Sequence, residues 1–185
     1  QWHMPLFFLL AGMSAWYALR KRSARQFRVE RLKRLFIPLL FGMLVIIPPQ
    51  VYVERIATWV QTRQSPINFS GTFFEWYPNT FSCCYPDANL SWHHLWFLLY
   101  LFVYSVLLVG LLKWFRGNGE GLRLRITGFL ARGWNLVLIP ATYLGGVEAL
   151  LRPSFPNHQD LISDFANHAN YPMVLLLGFL LVSDS

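Results

Sequence analysis

The chain has 185 residues, of which 55% are hydrophobic and 17% aromatic, while only 14% are charged. Soluble domains usually carry about a quarter charged residues, so this composition predicts an all-α polytopic membrane protein. A net charge of +7 can indicate a nucleic-acid partner. We exclude that class, because the basic residues lie in connections between apolar segments rather than on a soluble face.

Five apolar segments are predicted to be transmembrane helices, at residues 4–19, 35–53, 95–112, 134–151 and 172–185. Most approach the roughly 20 residues that a helix needs to cross a bilayer. Small residues around Gly12 favour close helix packing in lipid. We expect Pro48 and Pro49 to kink or end the second segment.

The connection 54–93 is rich in aromatic residues, which argues against disorder, and we expect it to fold back over the outer face or partly re-enter the membrane. It contains the adjacent pair Cys83 and Cys84. Neighbouring cysteines bridge only with strain and match no zinc spacing, so we assign them no chemical role.

The distribution of basic residues predicts the orientation in the bilayer. The four connections carry eight, two, five and one basic residues in chain order. Basic loops stay on the cytoplasmic side. We therefore expect Gln1 outside and residues 20–34 and 113–133 in the cytoplasm.

The most basic stretch, residues 20–38, contains the first candidate site. Ser23 and Gln26 have the spacing of a capping box, which predicts a helix from Ala24. Arg31 and Arg34 are three residues apart and would share a face of that helix, where two guanidinium groups suit phosphate binding. The alternative is charge that only sets the orientation and contacts headgroups.

All five histidines are predicted to lie on the outer side, at positions 3, 93, 94, 158 and 168. Histidine is the usual proton acceptor in hydroxyl chemistry, and His94 stands out because it directly opens a span. The alternative for each is an interfacial polar residue. No pair has the i, i+4 spacing of a helical zinc site, so we predict no metal site.

Glu148 lies within the fourth apolar segment. Acids inside a membrane are candidates for function. The favoured interpretation is simpler: Glu148 pairs with Arg152, four residues further on, or extends its carboxylate to the outer surface.

Three motifs in this order resemble the membrane-bound acyltransferase 3 family. They are H-M-P-L-F-F-L-L-A-G-M at His3–Met13, R-L-K-R-L-F-I-P at Arg31–Pro38 and H-L-W-F-L-L-Y-L at His94–Leu101. Within the family the chain looks most similar to the glucan biosynthesis protein C branch, whose members are regarded as succinyltransferases acting on periplasmic glucans. The likeness is strongest over residues 1–112.

The resemblance implies a bundle of about ten spans, of which this chain would be a part. Members move an acyl group from acyl-CoA, a co-substrate rather than a bound cofactor, to a carbohydrate hydroxyl. Arg31 and Arg34 match the arginine motif that would hold the donor. His94 and Trp96 match the H-x-W-F motif, so His94 is the catalytic candidate, and Trp96 with His3 would bind the acceptor.

The chain departs from the family pattern in two ways. Ala11 stands where members usually have serine, and the histidine regarded as the main catalytic base would lie on a helix before Gln1. Two other classes stay open. A transporter or flippase for a glycan or lipid-linked sugar would fit the spans broken by proline and glycine, together with Glu148. A structural membrane subunit would need no chemistry.

Overall fold

A computed structural model describes residues 3–62, 72–82, 89–90, 92, 95–155, 161 and 163–183. This part of the chain forms helices and turns without a strand, which confirms the all-helical prediction. In chain order the α-helices are α1 (His3–Lys21), α2 (Ala24–Arg31), α3 (Ile37–Phe41), α4 (Ile47–Thr62), α5 (Phe73–Trp76), α6 (Trp96–Phe115), α7 (Glu120–Leu130), α8 (Asn135–Leu150) and α9 (Phe165–Leu181).

The chain divides into two compact units. One contains residues 1–32 and 100–185, and the other contains residues 33–99. The first therefore includes α1, α2, most of α6 and α7 to α9. The second includes α3 to α5, the π-helical segment Gly42–Ile46 and the 3₁₀ turn Tyr77–Phe81.

In the first unit α1 and α9 pack with their backbones in contact. A Cβ atom added to Gly12 would overlap the carbonyl oxygen of Leu175, and one added to Gly178 would overlap that of Leu9. Only glycine allows this approach from both helices. The close packing predicted around Gly12 is confirmed.

Pro48 and Pro49 do not end the helix, so the prediction that they would stop it is wrong, and a kink at these residues stays a prediction. They lie near the start of α4, and α4 continues to Thr62. The π-helical segment Gly42–Ile46 precedes them. Pro48 cannot donate to the Leu44 carbonyl, and the hydroxyl of Tyr77 donates to that oxygen instead, at 2.9 Å.

The second unit has a small aromatic core. Ile47, Val51 and Trp76 are at most 2% exposed, and Tyr52 and Phe73 pack against them. The Tyr52 ring lies 5.5 Å from both Phe73 and Trp76, measured between centroids. Part of the predicted aromatic connection thus folds onto α4.

Two helical stretches in the described part of the chain are long and apolar enough to cross a membrane. They are Ala24–Ala57 and Trp96–Phe115, and the apolar helices α8 and α9 are shorter. The arrangement of five spans stays a prediction.

Candidate functional site

The predicted capping box is confirmed and positions Arg31. The Ser23 hydroxyl accepts from the Gln26 backbone N–H at 3.2 Å, and the Gln26 side chain accepts from the Ser23 N–H at 2.9 Å. These bonds satisfy free donors at the helix start. They begin α2 at Ala24 and so place Arg31 at its last position.

Arg31 is held against α1 rather than extended into solvent. Its Nη2 donates to the Ser14 hydroxyl at 3.2 Å, and its guanidinium lies 4.7 Å from the centroid of the Phe27 ring. Phe27 is only 1% exposed, so it gives the guanidinium a rigid base. Ser14 in turn donates to the Ala11 carbonyl at 2.9 Å. One guanidinium of the predicted pair therefore has a defined position.

Arg34 lies in the π-helical segment Leu32–Phe36 and is exposed. The i→i+5 bonds of a π-helix wind the chain more slowly than an α-helix does. The α-helical spacing that suggested a shared face with Arg31 therefore does not hold over these residues. Arg34 also belongs to the second compact unit. A joint role for the two arginines stays a prediction.

A shallow basic pocket lies at the end of α1 in the first unit. It is lined by Ser14, Tyr17, Ala18, Arg20, Lys21 and Arg22. Ser14 also accepts the hydrogen bond from Arg31, so the pocket and that guanidinium share a residue. Arg22 is paired with Glu30. Arg20 and Lys21 are exposed and supply positive charge at the mouth.

The other predicted site residues are His94, His3 and Trp96. His94, the catalytic candidate, lies outside the described residues, as do His93, His158 and both cysteines. His3 is the first residue of α1. Trp96 is the first residue of α6, belongs to the second unit and is 4% exposed. A common site for these residues and Arg31 stays a prediction.

Sequence reasoning missed most of a polar cluster in the first unit, which joins α8, α9 and the loop between them. One part of this cluster was predicted, the pairing of Glu148 with Arg152, and it is confirmed. Arg152 donates to Glu148 from Nε at 2.8 Å and from Nη2 at 2.7 Å. These hydrogen bonds raise the pKa of Arg152. Asn170 donates to the same carboxylate at 2.9 Å, so Glu148 also ties α8 to α9.

Asp164 is the centre of this cluster and is fully buried. As the N-cap of α9 it accepts from the Asn167 backbone N–H at 3.4 Å, and its Oδ2 accepts from the Asn167 side chain at 2.6 Å. The Tyr100 hydroxyl donates to the same oxygen at 3.1 Å. Arg152 Nη1 lies 3.8 Å from Oδ1 and offsets the buried charge.

His168 has both ring nitrogens engaged. Nε2 lies 3.1 Å from the Leu161 carbonyl, which can only accept, so Nε2 carries the hydrogen. Nδ1 then accepts from the Tyr104 hydroxyl at 2.7 Å. The ring also stacks on Tyr100, with centroids 5.4 Å apart. These contacts give His168 a structural role, unlike that of a base waiting for a substrate proton.

A sequence signal for this cluster did exist. Asp164 precedes an apolar helical segment and stands three residues before Asn167, which is a typical N-cap spacing. Nothing in the sequence links that cap to Tyr100, which lies 64 residues away. Among the described residues no group of three histidine, cysteine or acidic side chains could hold a metal ion.

A protein-family model described as an acyltransferase domain matches residues 1–183. Since the match covers nearly the whole chain, the protein belongs to the class of acyltransferases. In particular, the chain belongs to the acyltransferase 3 family. Members are typically membrane proteins, and the two long apolar helices fit that class. No curated protein and no solved structure matches the chain significantly.

Proposed function

We propose that this chain is part of a membrane-bound O-acyltransferase that moves a succinyl or acetyl group from cytoplasmic acyl-CoA to a carbohydrate hydroxyl. The observation that carries the proposal is the family match over residues 1–183. In such a reaction the hydroxyl oxygen bonds to the acyl carbonyl carbon and the carbon–sulfur bond breaks. The hydroxyl proton passes through a base and CoA leaves as the thiol.

The donor end of the proposed site is the basic region at the end of α1. Arg31 would hold a donor phosphate, with Arg34 as its partner, because guanidinium groups bind phosphate through two parallel hydrogen bonds. The contacts of Arg31 with Ser14 and Phe27 support this role, since they fix the guanidinium before a ligand arrives.

On the acceptor side we propose His94 as the catalytic residue of this chain, with Trp96 and His3 binding the carbohydrate. The motif resemblance supports this assignment. It also favours a periplasmic glucan as acceptor and the bacterial inner membrane as location, with Gln1 outside. The transporter alternative has less support, because the intramembrane acid that suggested it, Glu148, is engaged by Arg152 and Asn170.

The test uses the intact protein in membranes with labelled succinyl-CoA or acetyl-CoA. Label should appear in carbohydrate, and Arg34→Ala should weaken acyl-CoA use by about 10- to 100-fold, the size of one charged hydrogen-bonded contact. Arg28→Ala, an exposed arginine on α2, is the matched control and should behave like wild type. Sugar movement without acyl transfer, or unchanged donor affinity in Arg34→Ala, would contradict the proposal.

A further inference from the structure

Trp16 on α1 is contacted by two guanidinium groups. The centroid of its ring lies 4.9 Å from the Arg116 guanidinium and 5.1 Å from that of Arg123. Trp16 is 8% exposed and packs edge-on against Phe179, at 5.1 Å between centroids. Two cations thus share one rigid aromatic surface in the first unit.

The two arginines differ in what else they bind. Arg123 is 4% exposed, donates to the Ser183 carbonyl at 2.8 Å and pairs with Glu120 at 3.3 Å. Among the described residues Arg116 has no ion pair. Burial lowers the pKa of Arg116, and the nearby charges of Arg20 and Arg123 lower it further. Among the described residues of this cluster, positive charge therefore exceeds the single acid, Glu120.

Two donors of this cluster lack an acceptor. Trp16 Nε1 and Arg116 Nε are buried, and neither has a hydrogen-bond partner in the described part of the chain. Buried donors are nearly always paired, so unpaired ones require an explanation. An anion would supply the acceptor oxygens that these N–H groups lack and would neutralise the charge of the guanidinium groups.

We propose that Trp16, Arg20 and Arg116 form a phosphate-binding site, additional to Arg31 and Arg34. A phosphate group has the charge and the acceptor oxygens that this set of donors requires. Acyl-CoA carries a 3′-phosphate as well as a diphosphate, so a second phosphate site suits it. The assignment of acyl-CoA as the ligand rests on the proposed function. The binding of phosphate does not, because a phospholipid headgroup also carries a phosphate group.

The first arm of the test compares CoA with 3′-dephospho-CoA, using the intact protein in detergent and isothermal titration calorimetry. Wild type should bind CoA at least about tenfold more tightly. Arg116→Gln and Arg20→Gln should each lose about tenfold in CoA affinity and leave dephospho-CoA unchanged. Trp16→Phe keeps a smaller aromatic ring but removes the N–H, and should lose about threefold in CoA affinity. Misfolding cannot mimic this result, since it would lower the affinity for both CoA and 3′-dephospho-CoA.

Arg125→Gln is the matched control. Arg125 is an exposed arginine of α7 and its substitution removes the same charge. It lines a different, apolar groove, between α7, α8 and α9. Both affinities should equal those of wild type in this variant.

The second arm of the test measures how tightly the same protein variants bind vesicles of phosphatidylcholine with and without phosphatidic acid. Phosphatidic acid carries a phosphate monoester. If Arg116→Gln loses affinity for phosphatidic acid but not for CoA, the site binds a lipid headgroup. If Arg116→Gln changes neither affinity relative to Arg125→Gln, the proposal is overturned. If Arg116→Gln loses the selectivity for CoA over 3′-dephospho-CoA but the intact wild-type protein transfers no acyl group, the proposed function is refuted and the phosphate site is not.

Discussion

Arg152 and Glu148 lie one helical turn apart and form two hydrogen bonds, with Nε and Nη2 of the arginine 2.8 Å and 2.7 Å from the two carboxylate oxygens. The pair does more than join neighbouring turns. Arg152 also donates to the Asn167 side chain at 3.0 Å and faces the buried Asp164. One arginine thus connects α8 to the start of α9.

Replacing Arg152 by alanine should destabilise the protein by about 3 kcal/mol, because Asp164 would remain buried without a cation. Arg152→Lys should cost less, since it keeps the charge while losing the two-bond geometry. Arg132→Ala, at an exposed turn, is the control and should change little. Thermal unfolding of the intact protein in detergent measures the differences. Equal melting temperatures for Arg152→Ala and Arg132→Ala would contradict this role.

The contact between α1 and α9 gives a second prediction. Gly12→Ala and Gly178→Ala each place a methyl group on a backbone carbonyl of the opposite helix and should cost about 3 kcal/mol. Gly145→Ala on α8 meets no atom within 4 Å and should stabilise by about 0.5–1 kcal/mol through helix propensity. The same unfolding assay separates the three variants. Similar effects at all three positions would show that the helices do not pack in this way.

A third prediction concerns the hydrogen bond from Tyr77 to the Leu44 carbonyl. Tyr77→Phe should cost about 1–2 kcal/mol, because the carbonyl then loses its donor. Pro48→Ala restores an N–H that can bond to the same oxygen. In that background Tyr77→Phe should cost clearly less. A double-mutant cycle in the unfolding assay measures the coupling, and additive effects would mean that Tyr77 does not replace the missing proline donor.

The last prediction tests whether Ser14 positions Arg31. If Arg31 holds the donor, Ser14→Ala should raise KM for acyl-CoA about three- to tenfold and leave kcat unchanged, because the hydroxyl orients the guanidinium without touching reacting atoms. Thr142→Ala is the control, since within the described part of the chain that hydroxyl donates only to carbonyls of its own helix. A fall in kcat at constant KM would assign Ser14 a different role.

The local features of the basic stretch could be predicted from sequence. Ser23 and Gln26 are three residues apart, so their reciprocal bonds depend on one helical turn alone. The pairing of Glu148 with Arg152 is local in the same way. Pro48 shows where such reasoning fails. Its effect depended on a π-helical turn before it and on a tyrosine hydroxyl 33 residues from the carbonyl that it leaves free.

The helical class, the uneven distribution of basic residues and the motifs of the family could all be predicted without a structure, because composition, charge counts and short spacings are properties of neighbouring residues. Which distant groups meet could be learned only from the folded chain. Tyr100 reaches Asp164 across 64 positions, and Arg116 meets Trp16 across 100. Such contacts depend on how helices pack, and no local pattern of residues specifies that packing.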